Sequence, residues 1–135
     1  MNAANPFGES PRGNVEPVLS EVLHALDRLL ETGEPTVIDL GRLPFGPGEV
    51  EELERNLGTG EIRAELDALG ASSIRETVYP GVWWLEHYNA AGELAGTYIE
   101  ITRVPEILKS QDADVAAGRA RLHERISKSD EADVQ

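Results

Sequence analysis

The sequence predicts an α+β domain, in which an antiparallel β-sheet carries a long N-terminal helix on one face and further helices elsewhere. Two observations carry this prediction. Apolar residues recur every three or four positions between Val15 and Leu30, which is the period of an amphipathic helix. Near Gly60 the hydrophobic period changes from 3.6 to 2, and four consecutive segments joined by short loops then indicate a meander of strands.

The N-terminal helix is the clearest predicted element. Asn14 is a suitable N-cap, Pro17 suits the first turn, and Gly33 suits the C-terminal cap. The apolar residues of this segment are Val15, Val18, Leu19, Val22, Leu23, Leu26, Leu29 and Leu30. Because this stripe covers more than four turns, we expect the helix to pack on a broad surface, such as a sheet.

A short strand and a second helix are predicted to follow. The segment 36–40 is rich in β-branched residues and is bounded by Pro35 and Gly41. A loop punctuated by proline and glycine leads to a helix over residues 47–57, which ends at Gly58. Three glutamates in its first turn are favoured there by the helix dipole.

The predicted meander begins with a segment in which apolar and charged residues alternate without interruption. Such alternation is typical of a strand with one buried face and one solvated face. The four predicted strands are 61–67, 72–79, 81–88 and 94–104. With the short strand before them, they form the predicted antiparallel sheet.

The two ends of the chain are predicted to lie outside the folded domain. Residues 1–13 are rich in Asn, Gly, Pro and Ser, and we expect a disordered leader there. The single domain is predicted over residues 14–126, and its last helix runs from Asp112 to Ile126. A disordered acidic tail is predicted over residues 127–135.

Composition excludes several classes of function. The chain has 135 residues, with 12 basic and 25 acidic side chains, and its formal net charge is −13. This balance argues against nucleic acid and against an anionic membrane surface as partners. The absence of cysteine excludes disulfides, thiolate nucleophiles and Cys-ligated iron–sulfur clusters. We expect a cytoplasmic protein, since the first ten residues lack the features of a signal peptide.

No catalytic or metal-binding constellation is evident in the sequence. His24, His87 and His123 lack the spacing of metal ligands on a helix, so we predict no metal and no cofactor. We also predict that the chain is not an enzyme. An alternative stays open, in which two carboxylates in a sheet-lined cleft act as an acid–base pair, although sequence alone does not select them.

An aromatic cluster in the strands is the main candidate binding site. Trp83 and Trp84 are adjacent in a strand, so their side chains point to opposite faces of the sheet. One indole is expected in the core, and the other is covered by the last helix or forms an exposed platform for a protein partner. The predicted protein-binding residues are Tyr79, Trp83, Trp84, Tyr88 and Tyr98.

The same strands carry a resemblance to a known family. The run 77–89, which contains Pro80-Gly81-Val82-Trp83-Trp84, resembles the hydrogenase expression/formation family called HupH or HyaF. The run 98–101 and the sequence Val104-Pro105-Glu106-Ile107-Leu108 also resemble it, as do the loop 45–50 and residues 62–66. The resemblance covers residues 40–111 well, and the flanking helices in outline.

This resemblance implies an accessory role in the maturation of nickel–iron hydrogenases. The implied partner is an immature hydrogenase subunit, particularly the iron–sulfur-bearing small subunit of an uptake enzyme, with other maturation factors. Because the chain has no cysteine, a non-enzymatic chaperone fits better than a cluster scaffold. Family members typically hold two copies of this domain and this chain holds one, so we also predict a homodimer.

Overall fold

The computed structural model describes residues 13–134, with side chains described as far as Glu131. Apart from its last residue, the predicted leader lies outside this range. Two compact units make up the chain, and the boundary between them follows Pro105. The sequence placed both units in one domain of residues 14–126, so this boundary differs from the prediction.

The first unit begins with helix α1, Val15–Thr32. The helix ends as predicted, because Gly33 adopts the left-handed conformation with φ of 79° and donates its N–H to the carbonyl of Leu29. Asn14 precedes the helix, but its side chain does not cap it. The Asn14 amide instead donates to the carbonyl of Pro44 at 2.8 Å, which ties the start of α1 to the loop before the second helix.

Strand β1, Thr36–Asp39, and helix α2, Glu49–Leu57, follow in the predicted order. A short 3₁₀ turn, Leu40–Arg42, leaves the strand. Gly48 adopts a left-handed conformation with φ of 81° immediately before α2. The helix therefore starts two residues later than the sequence predicted.

The remaining strands complete a five-stranded sheet. They are β2, Arg63–Asp67; β3, Ala71–Glu76; β4, Val82–Tyr88; and β5, Leu94–Ile101. Every neighbouring pair is antiparallel, and the order is β1-β5-β4-β3-β2. The α+β class, the meander and the N-terminal helix are confirmed.

Helices α1 and α2 contribute to one apolar core with the sheet. The buried members of this core are Val15, Val18, Val22, Ala25, Leu29, Ile38, Leu40, Leu53, Leu57, Val82, Trp84, Ile99 and Ile101. Leu23 and Leu30 belong to the predicted stripe of α1, yet they lie outside the core with 58% and 75% of their surface exposed. The apolar stripe is therefore wider than the face of α1 that the core covers.

The second unit contains a short 3₁₀ turn, Glu106–Leu108, and helix α3, Asp112–Val134. The disordered tail predicted from residue 127 is wrong as far as Val134, since those residues are helical. No glycine or proline follows Gly118 to interrupt the helix. A Glu124–Lys128 ion pair of 3.2 Å, one turn apart, supports it locally.

Candidate functional site

The two tryptophans of β4 are both buried. The Trp84 side chain lies in the core with 2% of its surface exposed, and that of Trp83 is 4% exposed. Trp84 Nε1 donates to Glu86 Oε2 at 3.2 Å, whereas Trp83 Nε1 donates to the carbonyl of Thr102 at 3.0 Å. Of the two alternatives for the second indole, the exposed platform is wrong, because both rings are enclosed and both N–H groups are satisfied within the fold.

The three tyrosines of the predicted site lie in different surroundings. The half-buried Tyr88 donates its hydroxyl to Glu86 at 3.1 Å, while the half-buried Tyr98 packs against the His87 ring at a centroid distance of 5.4 Å. Tyr79 lies in the loop after β3 and is 50% exposed. The structure thus does not gather the five predicted residues into one surface. Their shared role in protein binding stays a prediction.

A polar network lines the sheet beside Trp84. Arg75 lies 5.6 Å from the Trp84 ring centroid and forms an ion pair with Glu54. The hydrogen bond to Glu86, and the negative charge of that carboxylate, raise the pKa of Tyr88 above its ordinary value. A phenol whose pKa is raised stays protonated at neutral pH, so Tyr88 acts here as a hydrogen-bond donor rather than as a base.

Glu49 is the most enclosed carboxylate of the described unit, with none of its surface exposed. It accepts hydrogen bonds from Gly46 N–H at 2.5 Å, and from the backbone and side-chain amides of Asn14, both at 3.2 Å. These bonds, chiefly the one from Gly46, lower the pKa of Glu49 even though burial acts in the opposite direction. Both oxygens are occupied, so Glu49 does not supply the acid–base pair of the enzymatic alternative.

The histidines and carboxylates of the described chain do not form a metal site. Within residues 13–134, no three His, Asp or Glu side chains are placed to hold a metal ion. The His87 ring is hydrogen-bonded to Ser72 Oγ at 2.7 Å, and His24 and His123 are exposed. None of the described helices combines the length and apolar character that a bilayer span requires.

An apolar groove lies between α1 and α2 in the first unit, and we name it the leucine groove. It has a volume of about 230 Å³. Its lining residues are Leu19, Val22, Leu23, Leu26, Asn56, Leu57 and Tyr79. A second depression, of about 480 Å³, shares Leu26 and continues past Leu30 to Pro80 and Gly81. An apolar surface therefore runs along α1 for about three turns.

Helical geometry explains why this surface remains accessible beside the core. Val18, Val22 and Leu29 belong to one buried row along α1, while Leu19, Leu23, Leu26 and Leu30 form a neighbouring row. At 3.6 residues per turn, the two rows are centred about 90° apart around the helix axis. The total width of the stripe was visible in the sequence, but the prediction assigned all of it to the packed face and missed the groove.

Comparison with known proteins identifies the class of protein to which this domain belongs. The fold is that of an α+β domain from proteins of hydrogenase expression and formation. A family profile described as "HupH hydrogenase expression protein, C-terminal conserved region" matches residues 13–129. The chain belongs to this HupH family, and the resemblance seen in the strands is confirmed.

Individual relatives agree with this assignment. The chain is 31% identical to the hydrogenase expression/formation protein HoxQ of Azotobacter vinelandii, over 87% of this chain and 43% of that protein. It is 26% identical to HupH of Rhizobium leguminosarum bv. viciae, over 92% of this chain and 45% of that protein. The chain thus spans less than half the length of these curated relatives.

A solved structure is similar over nearly its whole length. It is the hydrogenase expression protein HupH from Thiobacillus denitrificans ATCC 25259, with a TM-score of 0.82 and 48% sequence identity. The match covers 86% of this chain and 97% of that chain. This likeness supports both the family and the arrangement of helices and strands.

Proposed function

We propose that this chain is a non-enzymatic accessory protein for the maturation of a nickel–iron hydrogenase, and that it binds the immature iron–sulfur subunit in the cytoplasm. The family and the names of its relatives support the hydrogenase role. The lack of cysteine supports a binding role, because the chain has no thiolate with which to carry a cluster.

The observation that carries the proposal is the leucine groove. Its volume of about 230 Å³ is below the range of roughly 300–1,000 Å³ that is usual for small-molecule sites. Leucine side chains line most of it, and Asn56 and the Tyr79 hydroxyl are the main polar features. A shallow apolar surface on a strongly acidic protein is better suited to the side chains of a protein partner than to a reacting substrate.

Affinity capture from hydrogenase-expressing cells tests the proposal. We expect the wild-type chain to retain the immature small subunit, identified by mass spectrometry, and Leu23→Lys to retain at least about tenfold less. Leu23 is exposed and lysine is a good helix former, so the variant should fold normally.

The matched control for this capture is Leu69→Lys. Leu69 is 99% exposed and lies in the turn between β2 and β3, outside the leucine groove. The control should capture as much subunit as the wild type. Capture of no hydrogenase subunit by the wild-type chain would contradict the proposed function.

The proposed homodimer has a candidate interface at one edge of the sheet. Strand β2 is an edge strand, and Ile62 C=O accepts from Glu76 N–H on the neighbouring strand. Because backbone groups alternate in direction along a strand, those of Arg63, Glu65 and Asp67 point away from β3. They are placed to pair with a second copy.

Charge supports one register for this pairing. In a two-fold antiparallel arrangement centred on Glu65, Arg63 of each copy lies opposite Asp67 of the other, which gives two attractive pairs. Glu65 opposite Glu65 opposes the pairing, as does the net charge of −13, although salt screens charges more than roughly 8 Å apart.

Light scattering at micromolar concentration tests the homodimer. We expect a species of twice the 14.7 kDa chain mass. Arg63→Asp should raise the dimer dissociation constant by about tenfold, because two attractive pairs become repulsive. The double variant Arg63→Asp, Asp67→Arg restores opposite charges across the axis and should recover dimerisation. A wild-type protein of 14.7 kDa under these conditions would reject the homodimer.

A further inference from the structure

The leucine groove has the dimensions of a helix-binding site. Together with the adjoining depression, it presents a row along α1 in which Leu23 and Leu30 are exposed and Leu19 and Leu26 are partly buried. These four leucines follow one another at helical spacings of four, three and four residues. At 1.5 Å per residue, the row extends for about 16 Å, or three helical turns. A partner helix that lies along α1 could match this length with apolar side chains at positions i, i+4 and i+7.

The shape of the surface also suits a row of side chains that project from a partner helix. Two depressions meet at Leu26. One is bounded by Asn56, Leu57 and Tyr79, and the other by Pro80 and Gly81. Two hollows joined at a shared residue can each receive a large side chain from one helix, in the way that ridges of one helix enter the grooves of another. A flat patch would not select the spacing of the incoming side chains.

Charge at the rims restricts the partner further. Glu16 and Asp27 lie on α1 beside the accessible row, and Glu52 lies one turn before Asn56 on α2. Together, α1 and α2 carry eight carboxylates and two arginines. One of these arginines, Arg28, donates to Thr36 Oγ1 at 2.7 Å, and one carboxylate, Glu49, is enclosed. The surface around the groove is therefore negative, and Arg103 at its far end is a local exception.

We propose that the leucine groove binds a basic amphipathic helix of the partner protein, with large apolar side chains at i, i+4 and i+7 and lysine or arginine on its flanks. The inference rests on the proposed function, because both take the partner of the leucine groove to be a protein. Helices α1 and α2 of a second copy are disfavoured at this site, because they would bring like charges together. Basic flanks would instead meet Glu16 and Asp27, which speeds association and selects the partner.

Binding of designed peptides to the full chain tests this inference. Three dye-labelled 15-residue peptides serve as probes in fluorescence anisotropy. The first has leucines at i, i+4 and i+7 and lysines on the flanks. The second has glutamates in place of the lysines, and the third is a scrambled version of the basic peptide. We expect the first peptide to bind, and the other two to bind at least about tenfold more weakly. Added salt should weaken the first interaction, because its charge pairs are exposed.

Variants of the chain separate groove binding from general attraction to an acidic surface. Leu23→Lys should weaken binding of the first peptide by at least about tenfold, and Leu69→Lys should leave it unchanged. Thermal unfolding of both variants confirms that they fold. The proposal is overturned by equal binding of the scrambled basic peptide, by unaltered binding to Leu23→Lys, or by binding of none of the peptides.

Two further outcomes distinguish the helix-binding inference from the homodimer and from the proposed function. If Leu23→Lys converts a dimer to a monomer in light scattering, the groove holds a second copy, and the basic helix is rejected. If the wild-type chain captures the hydrogenase subunit from cells but the designed peptides do not bind, the helix-binding inference fails while the proposed function stands.

Discussion

Trp84→Ala is expected to lower the free energy of unfolding by about 3–5 kcal/mol, the usual cost of removing a large aromatic side chain from a core. The Trp84 ring is 2% exposed and belongs to the same apolar cluster as Ile99 and Val82. Its loss opens a cavity and removes the surface over which the Arg75 guanidinium lies at 5.6 Å. The Glu86 carboxylate also loses the indole N–H at 3.2 Å.

Trp83→Ala is expected to cause a loss of comparable size, about 3–5 kcal/mol. The sequence left two alternatives for the second indole, which was either covered or part of a partner surface, and only the latter predicts a mild effect. The structure selects the covered alternative, because Trp83 is 4% exposed and its Nε1 is bonded to the Thr102 carbonyl. Removing the donor would leave a buried carbonyl without this partner, in addition to the cavity.

Urea denaturation at neutral pH measures both effects. Tyr79→Ala is the matched control, because this aromatic residue is half-exposed and should cost no more than about 1 kcal/mol. A mild loss of stability from Trp83→Ala, similar to that from Tyr79→Ala, would support the hypothesis that Trp83 forms an exposed platform. Severe loss from both tryptophan variants, with mild loss from Tyr79→Ala, would confirm that both faces of β4 are buried.

Glu49→Gln is expected to destabilise the protein at neutral pH and to reduce the dependence of its stability on acid. A glutamine places an amide NH₂ where one carboxylate oxygen now accepts a hydrogen bond. In the structure, Glu49 Oε2 accepts from Asn14 N–H, while Oε1 accepts from Gly46 N–H. At least one backbone donor would then face another donor.

The sign of the pH dependence follows from the lowered pKa of Glu49. Its pKa in the folded state lies below the ordinary value of 4.5, chiefly because of the hydrogen bond from Gly46. The carboxylate therefore contributes stability that is fully present at pH values above the ordinary pKa. That stability is lost as the pH falls through the folded-state pKa, where the folded protein takes up the proton.

Denaturation curves recorded from about pH 7 to about pH 3 test this contribution. The wild-type protein should lose stability more steeply below the ordinary pKa of glutamate than Glu49→Gln does. Glu51→Gln is the control, because Glu51 lies in the same first turn of α2 but is exposed. Parallel pH profiles for the wild type and Glu49→Gln would show that the carboxylate makes no such contribution.

Local sequence patterns determined the main elements of this fold. Uninterrupted alternation before Asp67 predicted a strand with one wet face, and the repeated short loops predicted the meander that the strand order confirms. Gly33 predicted the end of α1, because a left-handed residue without a Cβ closes a helix at little cost. The motif Pro80-Gly81-Val82-Trp83-Trp84, together with Val104-Pro105-Glu106-Ile107-Leu108, indicated the HupH family, to which the chain belongs.

Only part of the candidate site could be predicted from the sequence. The apolar stripe of α1 contained the leucines of the groove, and its excess width was a usable signal. Which row would be buried depended on the position of the sheet and α2, and a helical period does not contain that information. The period identifies residues that share a face, whereas contact with another element decides whether that face is covered.

Tertiary structure likewise decided the uses of single polar side chains. Asn14 has the local properties of a helix cap, but it bonds Glu49, 35 residues away, and so joins the starts of α1 and α2. Trp83 and Trp84 had to face opposite sides of the sheet, because strand side chains alternate. That both sides are enclosed depended on contacts between residues distant in sequence, which alternation within one strand does not specify.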